Sequence, residues 1–266
     1  MTILETPIAT GFTAEIYTWH DGQVLKLFKQ GRSRQTVEYE ANLTRMVHAT
    51  GLPVPAVGEI LEIGGRFGLE LERVDGISML QAIIQRPWKS AYYAYMLAEL
   101  QVEMHQRQVP GLPSQIERLK KKIGRAPNLP EEVRQIAFCK LETLHENDKL
   151  CHGDFHPDNI LLTSRGPVII DWIDATRGSP LLDVARSTLL FGGGPLPPGI
   201  PRAWLLRILQ HRLYNLYLSR YIQIIPLSRK QLSEWLPVVA AGRLDENIYF
   251  DEARLLSIAK RLVRDR

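Results

Sequence analysis

The sequence is poor in cysteine and contains no long hydrophobic run. Its two cysteines, Cys139 and Cys151, are too few for a disulfide framework and lack the CxxC spacing of a zinc or redox site. No apolar stretch approaches the roughly 18 residues that a membrane-spanning helix needs. The first residues lack the basic and apolar regions of a secretory signal. We therefore expect a cytoplasmic protein that does not bind membranes.

Strong charge is also absent. The formal net charge is +4, and no basic patch with interspersed aromatic residues accompanies it, so we expect no nucleic-acid partner. The hydrophobic share of 45% is ordinary for a globular protein with a full core. A chain of 266 residues can form one large domain or two lobes, and we predict two. Both a monomer and a homodimer stay open.

Reactive residues are concentrated in the middle of the sequence. Residues 152–159 read His-Gly-Asp-Phe-His-Pro-Asp-Asn, and residues 170–172 read Ile-Asp-Trp. Two β-prone runs lie between these motifs, separated by the turn-forming residues Ser-Arg-Gly-Pro at 164–167. The pattern predicts a rigid β-hairpin that carries both motifs at its open end.

The register of this hairpin decides which side chains meet. If the loop closes symmetrically, Ile160 faces Asp171, and Asn159 and Asp171 then lie side by side. Asp154 precedes Asn159 by five residues, on the loop that leads into the hairpin. Two carboxylates and a carboxamide would then converge. Oxygen ligands of this kind suit Mg²⁺ bound together with phosphate.

The spacing of these three residues is that of a kinase. An Asp, an Asn five positions later and an Asp twelve positions after that correspond to a catalytic loop and a metal-binding Asp. However, His-Gly-Asp stands where protein kinases have His-Arg-Asp, and Ile-Asp-Trp replaces Asp-Phe-Gly. The motifs HGDxHPxN and IDW instead resemble the aminoglycoside phosphotransferase and choline kinase family of small-molecule kinases.

The resemblance implies an α+β, protein-kinase-like fold with two lobes. A small antiparallel-sheet lobe, 1–75, would bind the nucleotide, and a larger, mainly helical lobe, 76–266, would carry catalysis and substrate binding. Asp154 would be the catalytic base. Asn159 and Asp171 would hold Mg²⁺ against the phosphates of ATP. The reaction would transfer the γ-phosphate to a hydroxyl group of a small molecule.

The N-terminal residues are predicted to form the small sheet. Asp-Gly at 21–22 is a strong hairpin signal. Strand-like runs follow at 59–63 and 66–71, and Gly-Gly at 64–65 joins them into a second hairpin. In the kinase interpretation the turn 11–14, which includes Thr13, presents backbone N–H groups to the phosphates. An ordinary hairpin turn is the alternative interpretation, because one glycine does not make a GxGxxG motif.

Lys26 and Glu40 are predicted to form an ion pair. Lys26 lies on the strand after the Asp-Gly turn, and Glu40 lies on a helix expected from 33 to about 50. Glu38 is about 200° away around that helix, so only one of the two glutamates can face the strand. We choose Glu40 because the glutamate of the resembled family stands three residues before a leucine. The pair would hold the ammonium against the α- and β-phosphates.

Residues 72–76 resemble the hinge between the lobes of this family. The resemblance implies that the Glu72 carbonyl oxygen and the Val74 N–H bind adenine. A plain loop between a strand and a helix would predict the same residues.

Asp183 is interpreted as a structural residue that braces the loop around Asp154, because Gly178 to Ala185 resembles the GDPxxDLA motif of the family. Only eleven residues separate Asp171 from Asp183, which leaves no room for the long activation segment that holds a peptide in protein kinases. We therefore expect a small acceptor.

The identity of the acceptor is not fixed by the motifs. From Pro201 onward there are 12 Arg and Lys residues against 6 Asp and Glu, and this balance is wrong for a polycationic aminoglycoside. An amino alcohol, an amino acid or a sugar is equally compatible with the family.

Two other functions fit parts of the sequence. One is an inactive kinase-like protein that only binds nucleotide. The other is a metallohydrolase, because His152, Asp154, His156 and Asp158 alternate and would point one way in an extended strand. The glycine and the proline within this run favour a loop instead.

Overall fold

The structure is a computed structural model of the chain. It describes residues 6–11, 13–144, 147–194, 196, 199 and 203–264. Within these residues the chain forms two compact units, one from 1–79 and 158–173, the other from 80–157 and 174–266. The division at residue 75 into nucleotide-binding and catalytic lobes is a functional assignment and stays a prediction.

The units differ in their secondary structure, since strands dominate the first and helices the second. The described strands are β1 (Ala9–Thr10), β2 (Ala14–Thr18), β3 (Gln23–Phe28), β4 (Val57–Ile63), β5 (Arg66–Glu72), β6 (Ile77–Ser78), β7 (Lys149–Cys151), β8 (Ile160–Thr163), β9 (Gly166–Ile169) and β10 (Thr176–Gly178). The described α-helices are α1 (Arg34–His48), α2 (Met79–Gln85), α3 (Ser90–His105), α4 (Gln115–Arg125), α5 (Glu131–Glu142), α6 (Pro180–Phe191), α7 (Ala203–Ile224), α8 (Arg229–Arg243), α9 (Glu252–Ala259) and α10 (Arg261–Arg264).

The first unit contains a five-stranded antiparallel sheet with the order β1-β2-β3-β5-β4. The predicted Asp-Gly turn joins β2 and β3, and its Gly22 has a φ of +75°, which favours glycine. The second predicted hairpin, with Gly-Gly at 64–65, joins β4 and β5. Both hairpin predictions are confirmed.

Side chains alternate across β3 and so separate two apolar clusters. Leu25 and Leu27 pack with Tyr17 on one face. Phe28 packs with residues of α1 on the other face. Lys26 is two residues before Phe28 on β3, so its side chain lies on the same face of the sheet, which α1 covers.

Helix α1 begins and ends as the sequence predicts. The Ser33 hydroxyl accepts a hydrogen bond from the Thr36 N–H and caps the first turn. Gly51 follows the last turn with a φ of +78°. Val37 and Ala41 are fully buried against the sheet, and this packing fixes the face of the helix that carries Glu40.

The hairpin of β8 and β9 forms, but its predicted register is wrong. Ile160 pairs with Ile169, and Thr163 pairs with Gly166. The prediction had placed Ile160 opposite Asp171. The strands, with β6 at the other edge, form a three-stranded sheet in the order β6-β8-β9.

The register differs because the turn contains two residues, 164–165, rather than four. The Thr163 hydroxyl donates a hydrogen bond to the Gly166 carbonyl and accepts one from the Arg165 N–H, which closes the shorter turn. Pro167, assigned to the turn from the sequence, lies within β9. Proline is tolerated there because β9 is an edge strand and position 167 needs no N–H to pair with a further strand.

The second unit is mainly helical, with one two-stranded antiparallel sheet formed by β7 and β10. Helix α3 packs along α7, and α8 contacts both α4 and α6. Among the described residues, no helix has the length and apolar character needed to cross a membrane.

Candidate active site

Lys26 contacts two carboxylates within the first unit. Its Nζ lies 2.6 Å from Glu40 Oε1 and 3.1 Å from Asp171 Oδ1. The side chains of Lys26 and Glu40 are only 12% and 4% exposed. Glu38 is more exposed and pairs with Arg34 on the same helix. The ion pair predicted between Lys26 and Glu40 is therefore confirmed.

These contacts keep Lys26 charged. Burial by itself would lower the pKa of the Lys26 ammonium, but the carboxylates of Glu40 and Asp171 outweigh burial and raise this pKa above its usual value. An ammonium has three N–H donors. Two are directed at these carboxylates, and no third acceptor for this ammonium lies among the described residues.

Asp171 has an unusual backbone. Its φ of +65° is in the left-handed region, which only three described non-glycine residues enter. Such conformations cost energy and cluster at functional sites, because surrounding structure must hold them. The Asp171 side chain is 42% exposed, so its carboxylate remains accessible while Lys26 holds one of its oxygens.

Asn159 lies near Asp171 at the open end of the hairpin. It ends a short 3-10 helix, Pro157–Asn159, and is buried. The Ile170 N–H donates a hydrogen bond of 3.0 Å to the Asn159 carbonyl. Asn159 is therefore opposite Ile170, the residue that precedes Asp171, whereas the predicted register had placed Ile160 opposite Asp171.

The donor set at this end of the hairpin fits Mg²⁺. Asp171 offers a carboxylate oxygen and Asn159 a carboxamide oxygen. The described residues contain no group of three or more His, Cys, Asp or Glu side chains that could hold a metal ion. Mg²⁺ differs from metals held in all-protein cages, because it is commonly bound by one or two carboxylates together with phosphates and waters. The metallohydrolase alternative gains no support from this arrangement.

Thr13 lies in the turn between β1 and β2. The Gly11 N–H donates to the Ala14 carbonyl at 2.8 Å, and the Lys29 N–H donates to the Thr13 carbonyl at 3.0 Å. Phe12, also part of the predicted phosphate-binding turn, lies outside the described residues. Neither hydrogen bond distinguishes a phosphate-binding turn from an ordinary hairpin connection.

Glu72 and Val74 follow the sheet where the hinge is predicted. Glu72 is the last residue of β5, and its carboxylate accepts a hydrogen bond from the Ala56 N–H at 3.1 Å. Val74 is half-buried. No hydrogen bond joins the Val74 N–H to another residue of the described ranges. This donor is therefore available to a ligand.

Asp154 belongs to the second unit, on a segment that we call the HGD loop (residues 152–157). Its Oδ1 accepts a hydrogen bond from Arg186 Nη2 at 3.2 Å, and its Oδ2 lies 3.4 Å from His156 Nε2. Burial would raise the pKa of the Asp154 carboxyl, but His156 and Arg186 outweigh burial and hold this pKa well below its usual value. Asp154 is therefore ionised at neutral pH.

The HGD loop is held by α6. Asp183 Oδ1 accepts a hydrogen bond from the Gly153 N–H at 2.8 Å, and Arg186 Nε donates to the Gly153 carbonyl at 2.9 Å. Gly153 has a φ of +78°, and a Cβ there would lie 2.5 Å from the Asp174 carbonyl oxygen, so only glycine fits. The bracing role predicted for Asp183 is confirmed.

Asp183 is itself fixed by a buried network. Its Oδ2 lies 3.0 Å from His105 Nε2 and accepts a hydrogen bond from Gln101 Nε2 at 3.0 Å. The other ring nitrogen of His105 lies 2.7 Å from the Tyr221 hydroxyl. These residues come from α3, α6 and α7, so the position of the HGD loop depends on the helical core.

Sequence analysis missed Arg186, although a signal was present. Asp183 and Arg186 are three residues apart on α6, and this spacing places both on one face of a helix. A cavity of about 60 Å³ adjoins the same part of the HGD loop. Its wall includes Arg118, Lys122, Gly153, Asp174, Arg186 and Arg243.

This fold is that of the protein-kinase-like phosphotransferases, with a small antiparallel sheet and a larger helical unit. The model of the phosphotransferase enzyme family, APH, matches residues 5–216. The chain belongs to this family, as the HGDxHPxN and IDW motifs indicate. Membership supports a phosphotransferase that acts on a small molecule.

Solved structures of three proteins illustrate the likeness. A thermostable mutant of aminoglycoside phosphotransferase APH(4)-Ia is 14% identical, with a TM-score of 0.66 over 99% of this chain and 94% of that chain. ADP-bound aminoglycoside phosphotransferase APH(2'')-Ib is 16% identical, with a TM-score of 0.58 over 98% and 92%. A candidate fructosamine-3-kinase from Haemophilus somnus is 16% identical, with a TM-score of 0.62 over 99% and 91%. At these identities the likeness is one of fold. No curated protein sequence matches the chain significantly.

Proposed function

We propose that the protein transfers the γ-phosphate of ATP, with Mg²⁺, to a hydroxyl group of a small molecule. The observation that carries this proposal is the contact of Lys26 with both Glu40 and Asp171. A buried ammonium held by two carboxylates, one of them accessible, is the arrangement that a kinase needs beside phosphates. The ADP bound by the related fold of APH(2'')-Ib supports a nucleotide as the phosphoryl donor.

Residues of the first unit bind the nucleotide in this proposal. Lys26 donates a hydrogen bond to the α- and β-phosphates, and the turn with Thr13 covers the phosphates. The Val74 N–H and the Glu72 carbonyl bind the adenine ring. Both are backbone groups, so recognition of the base does not depend on the side chains at these two positions.

Asn159 and Asp171 are the residues that would hold the metal ion. When bound, Mg²⁺ neutralises phosphate charge and aligns the phosphates for transfer. The left-handed backbone of Asp171 sets the direction of its Cα–Cβ bond. The contact with Lys26 restricts the Asp171 carboxylate further.

Asp154 orients the acceptor and removes its proton. Its ionised carboxylate accepts the hydrogen bond of the acceptor hydroxyl. The oxygen of this hydroxyl forms a bond to the γ-phosphorus while the bond from that phosphorus to ADP breaks, and the proton passes to Asp154. A carboxylate of low pKa is a weak base, but the hydroxyl becomes strongly acidic once its oxygen bonds to phosphorus. The proton therefore moves late.

The acceptor is proposed to be a metabolic amino alcohol, amino acid or sugar, or an aminoglycoside-like compound. A reaction that consumes ATP also fits the cytoplasmic location expected from the sequence. Alignment of the hydroxyl and phosphate could supply roughly 7–11 kcal/mol of the rate enhancement in a favourable case. Most of the catalytic effect would then come from positioning, for which the braced HGD loop is suited.

An ATP-consumption screen tests the proposal. The full-length protein is incubated with ATP and Mg²⁺ and with aminoglycosides, choline, ethanolamine, homoserine or sugars, and ADP release is recorded. We expect release to depend on one class of acceptor, with the phosphorylated product detected by mass spectrometry. Nucleotide binding without transfer to any acceptor would instead favour an inactive kinase-like protein.

A further inference from the structure

Glu246 lies among three basic side chains of the second unit. Its Oε1 is 2.6 Å from Arg186 Nη1 and 3.3 Å from Lys122 Nζ. Its Oε2 is 3.4 Å from Arg243 Nε. These basic residues come from α6, α4 and α8, so one carboxylate contacts three helices. Of the three, Arg186 also contacts the HGD loop, which contains the proposed base.

The local backbone gives Glu246 a defined position. Glu246 ends a short 3-10 helix, Leu244–Glu246, that follows α8. Asn247 comes next with a φ of +54°, in the left-handed region. Its N–H donates a hydrogen bond to the Leu244 carbonyl at 3.2 Å, and its Nδ2 donates to the Asp245 carbonyl at 3.1 Å. The turn is therefore closed on both sides of Glu246 by backbone acceptors.

Arg186 divides its guanidinium between the HGD loop and Glu246. Along one edge, Nε donates to the Gly153 carbonyl at 2.9 Å and Nη2 donates to Asp154 Oδ1 at 3.2 Å. Nη1 is the atom that lies against Glu246. Arginine commonly binds one carboxylate through two parallel N–H groups. Here the two η nitrogens serve two different carboxylates, and Asp154 Oδ2 faces His156 Nε2 at 3.4 Å instead.

Glu246 is also important for the charge of Arg186, which is only 8% exposed. Burial by itself would lower the pKa of the Arg186 guanidinium, but the carboxylates of Glu246 and Asp154 outweigh burial and raise this pKa above its usual value. The guanidinium is therefore a fixed cation between two carboxylates. Loss of either carboxylate should draw it toward the other.

We propose that Glu246 is a positioning residue for phosphoryl transfer, which acts through Arg186 to fix the orientation of the Asp154 carboxylate. This inference rests on the proposed function, since it names what keeps the proposed base aligned. With Nη1 held by Glu246, Arg186 engages Oδ1 of Asp154 and leaves Oδ2 to meet the acceptor hydroxyl. Without Glu246, both η nitrogens can turn onto Asp154 and compete with that hydroxyl for its oxygens.

Steady-state kinetics of Glu246→Met test this inference, with an acceptor found by the ATP-consumption screen. Methionine has a similar length but no oxygen that could hold Arg186. We expect kcat to fall by about 10–100-fold, because a small misplacement of a catalytic group is costly. The KM for ATP should stay unchanged, since the proposed nucleotide contacts lie in the first unit. Glu246→Gln keeps an oxygen acceptor and should restore part of the lost kcat.

Asp245→Met is the matched control. Asp245 is the neighbouring carboxylate, its side chain is 18% exposed, and it pairs with Arg125 at 2.8 Å rather than with Arg186. The substitution removes the same charge one position away. It should leave kcat unchanged.

A double-mutant cycle separates positioning from a purely structural role. If Glu246 acts through Arg186, Glu246→Met should not lower kcat further in a protein that already carries Arg186→Met. Equal fold losses in the two backgrounds would overturn the inference, because Glu246 would then act independently of Arg186.

Crystal structures of the wild type and of Glu246→Met give a test that needs no acceptor, and Glu246→Gln replaces the latter if it does not fold. We expect Arg186 to turn toward both carboxylate oxygens of Asp154 and the Asp154 carboxylate to move by about 0.5 Å or more. Unmoved Arg186 and Asp154 side chains would remove this inference alone. A moved Asp154 together with no transfer to any acceptor would remove the proposed function and, with it, only the catalytic part of the role of Glu246.

Discussion

The Lys26 ammonium lies 3.1 Å from the Asp171 carboxylate, although 145 positions separate the two residues in the chain. The contact joins the five-stranded sheet to the end of the β8–β9 hairpin within the first unit. Glu40 holds the same ammonium from α1 at 2.6 Å. One cation thus faces two carboxylates, and this fixes its position before any ligand binds.

Replacing Lys26 with methionine should destabilise the protein. Glu40 is 3% exposed and would lose the cation that balances its buried charge. Removal of one partner of a buried ion pair typically costs about 3–5 kcal/mol of unfolding free energy. Urea denaturation measures this loss.

The control for that prediction is the double variant K26M/E40Q. Neutral glutamine removes the uncompensated charge, so the double variant should be more stable than Lys26→Met alone. Strict additivity of the two single losses would show that the ion pair does not couple these residues.

Asp171 should be required for stabilisation by ATP with Mg²⁺. A ligand at 100 times its dissociation constant adds about 2.7 kcal/mol to the unfolding free energy, which a thermal melt detects. Asp171→Ala should abolish the shift, because the accessible carboxylate is lost. Asp171→Asn is the matched control for backbone strain, because asparagine tolerates a positive φ better than alanine.

The two variants of Asp171 should therefore differ in their stability but not in their response to the ligand. Alanine at a φ of +65° should be less stable than asparagine there by roughly 1 kcal/mol. Both should lose the ligand-dependent shift. A full shift in Asp171→Asn would mean that the charge of Asp171 is not needed for binding.

Local signals in the sequence predicted the elements that depend on local chemistry. Ser33 and Gly51 delimit α1 because a cap and a left-handed glycine satisfy the helix ends. The pair of Lys26 and Glu40 followed from helical periodicity together with the family motif. The register of the β8–β9 hairpin was not predicted correctly. The hydroxyl of Thr163 closes a shorter turn than the Ser-Arg-Gly-Pro sequence suggests.

The basic lining of the cavity could not be predicted from the sequence either, because it depends on how distant helices pack. Arg118 and Arg243 line one cavity because α4 packs on α8, which lies more than a hundred residues further along the chain. A Cβ on Gly242 would clash with the end of the Leu119 side chain, so a glycine permits this close packing. Single-sequence patterns carry no information about such a pairing of helices.

Asp154→Asn should reduce turnover while leaving nucleotide binding intact. Loss of a general base typically lowers kcat by about 10²–10⁴-fold. Arg186 keeps its contact with Glu246 at 2.6 Å, so the HGD loop should retain its structure. The measurement compares kcat with the ATP-dependent thermal shift, once an acceptor is known.

Asp158→Asn is the matched control for this change, since Asp158 is an exposed carboxylate only four positions away. It should leave kcat within a few-fold of the wild type. If Asp154→Asn turns over as fast as the wild type, Asp154 is not the base.

Asp183→Asn should make the stability of the protein less dependent on pH. Burial would raise the pKa of the Asp183 carboxyl, but its contacts with His105 and Gly153 outweigh burial and lower this pKa below its usual value. The folded state therefore binds this proton less tightly than the unfolded state. The resulting stabilisation is fully present above the usual aspartate pKa of about 3.9 and is lost as the pH falls through the lower folded value.

The expected result is a difference between two stability curves. Between pH 7 and pH 5 the variant should be less stable than the wild type by about 3 kcal/mol or more, because a buried charged partner of His105 is removed. Toward pH 3 the gap should narrow, since the unfolded wild type then binds a proton at Asp183, which stabilises the unfolded state relative to the folded state. Asp75→Asn, at a side chain that is 79% exposed, should shift neither curve. Chemical denaturation across this range measures the gap, and a gap that stays constant with pH would mean that the ionised form of Asp183 does not stabilise the fold.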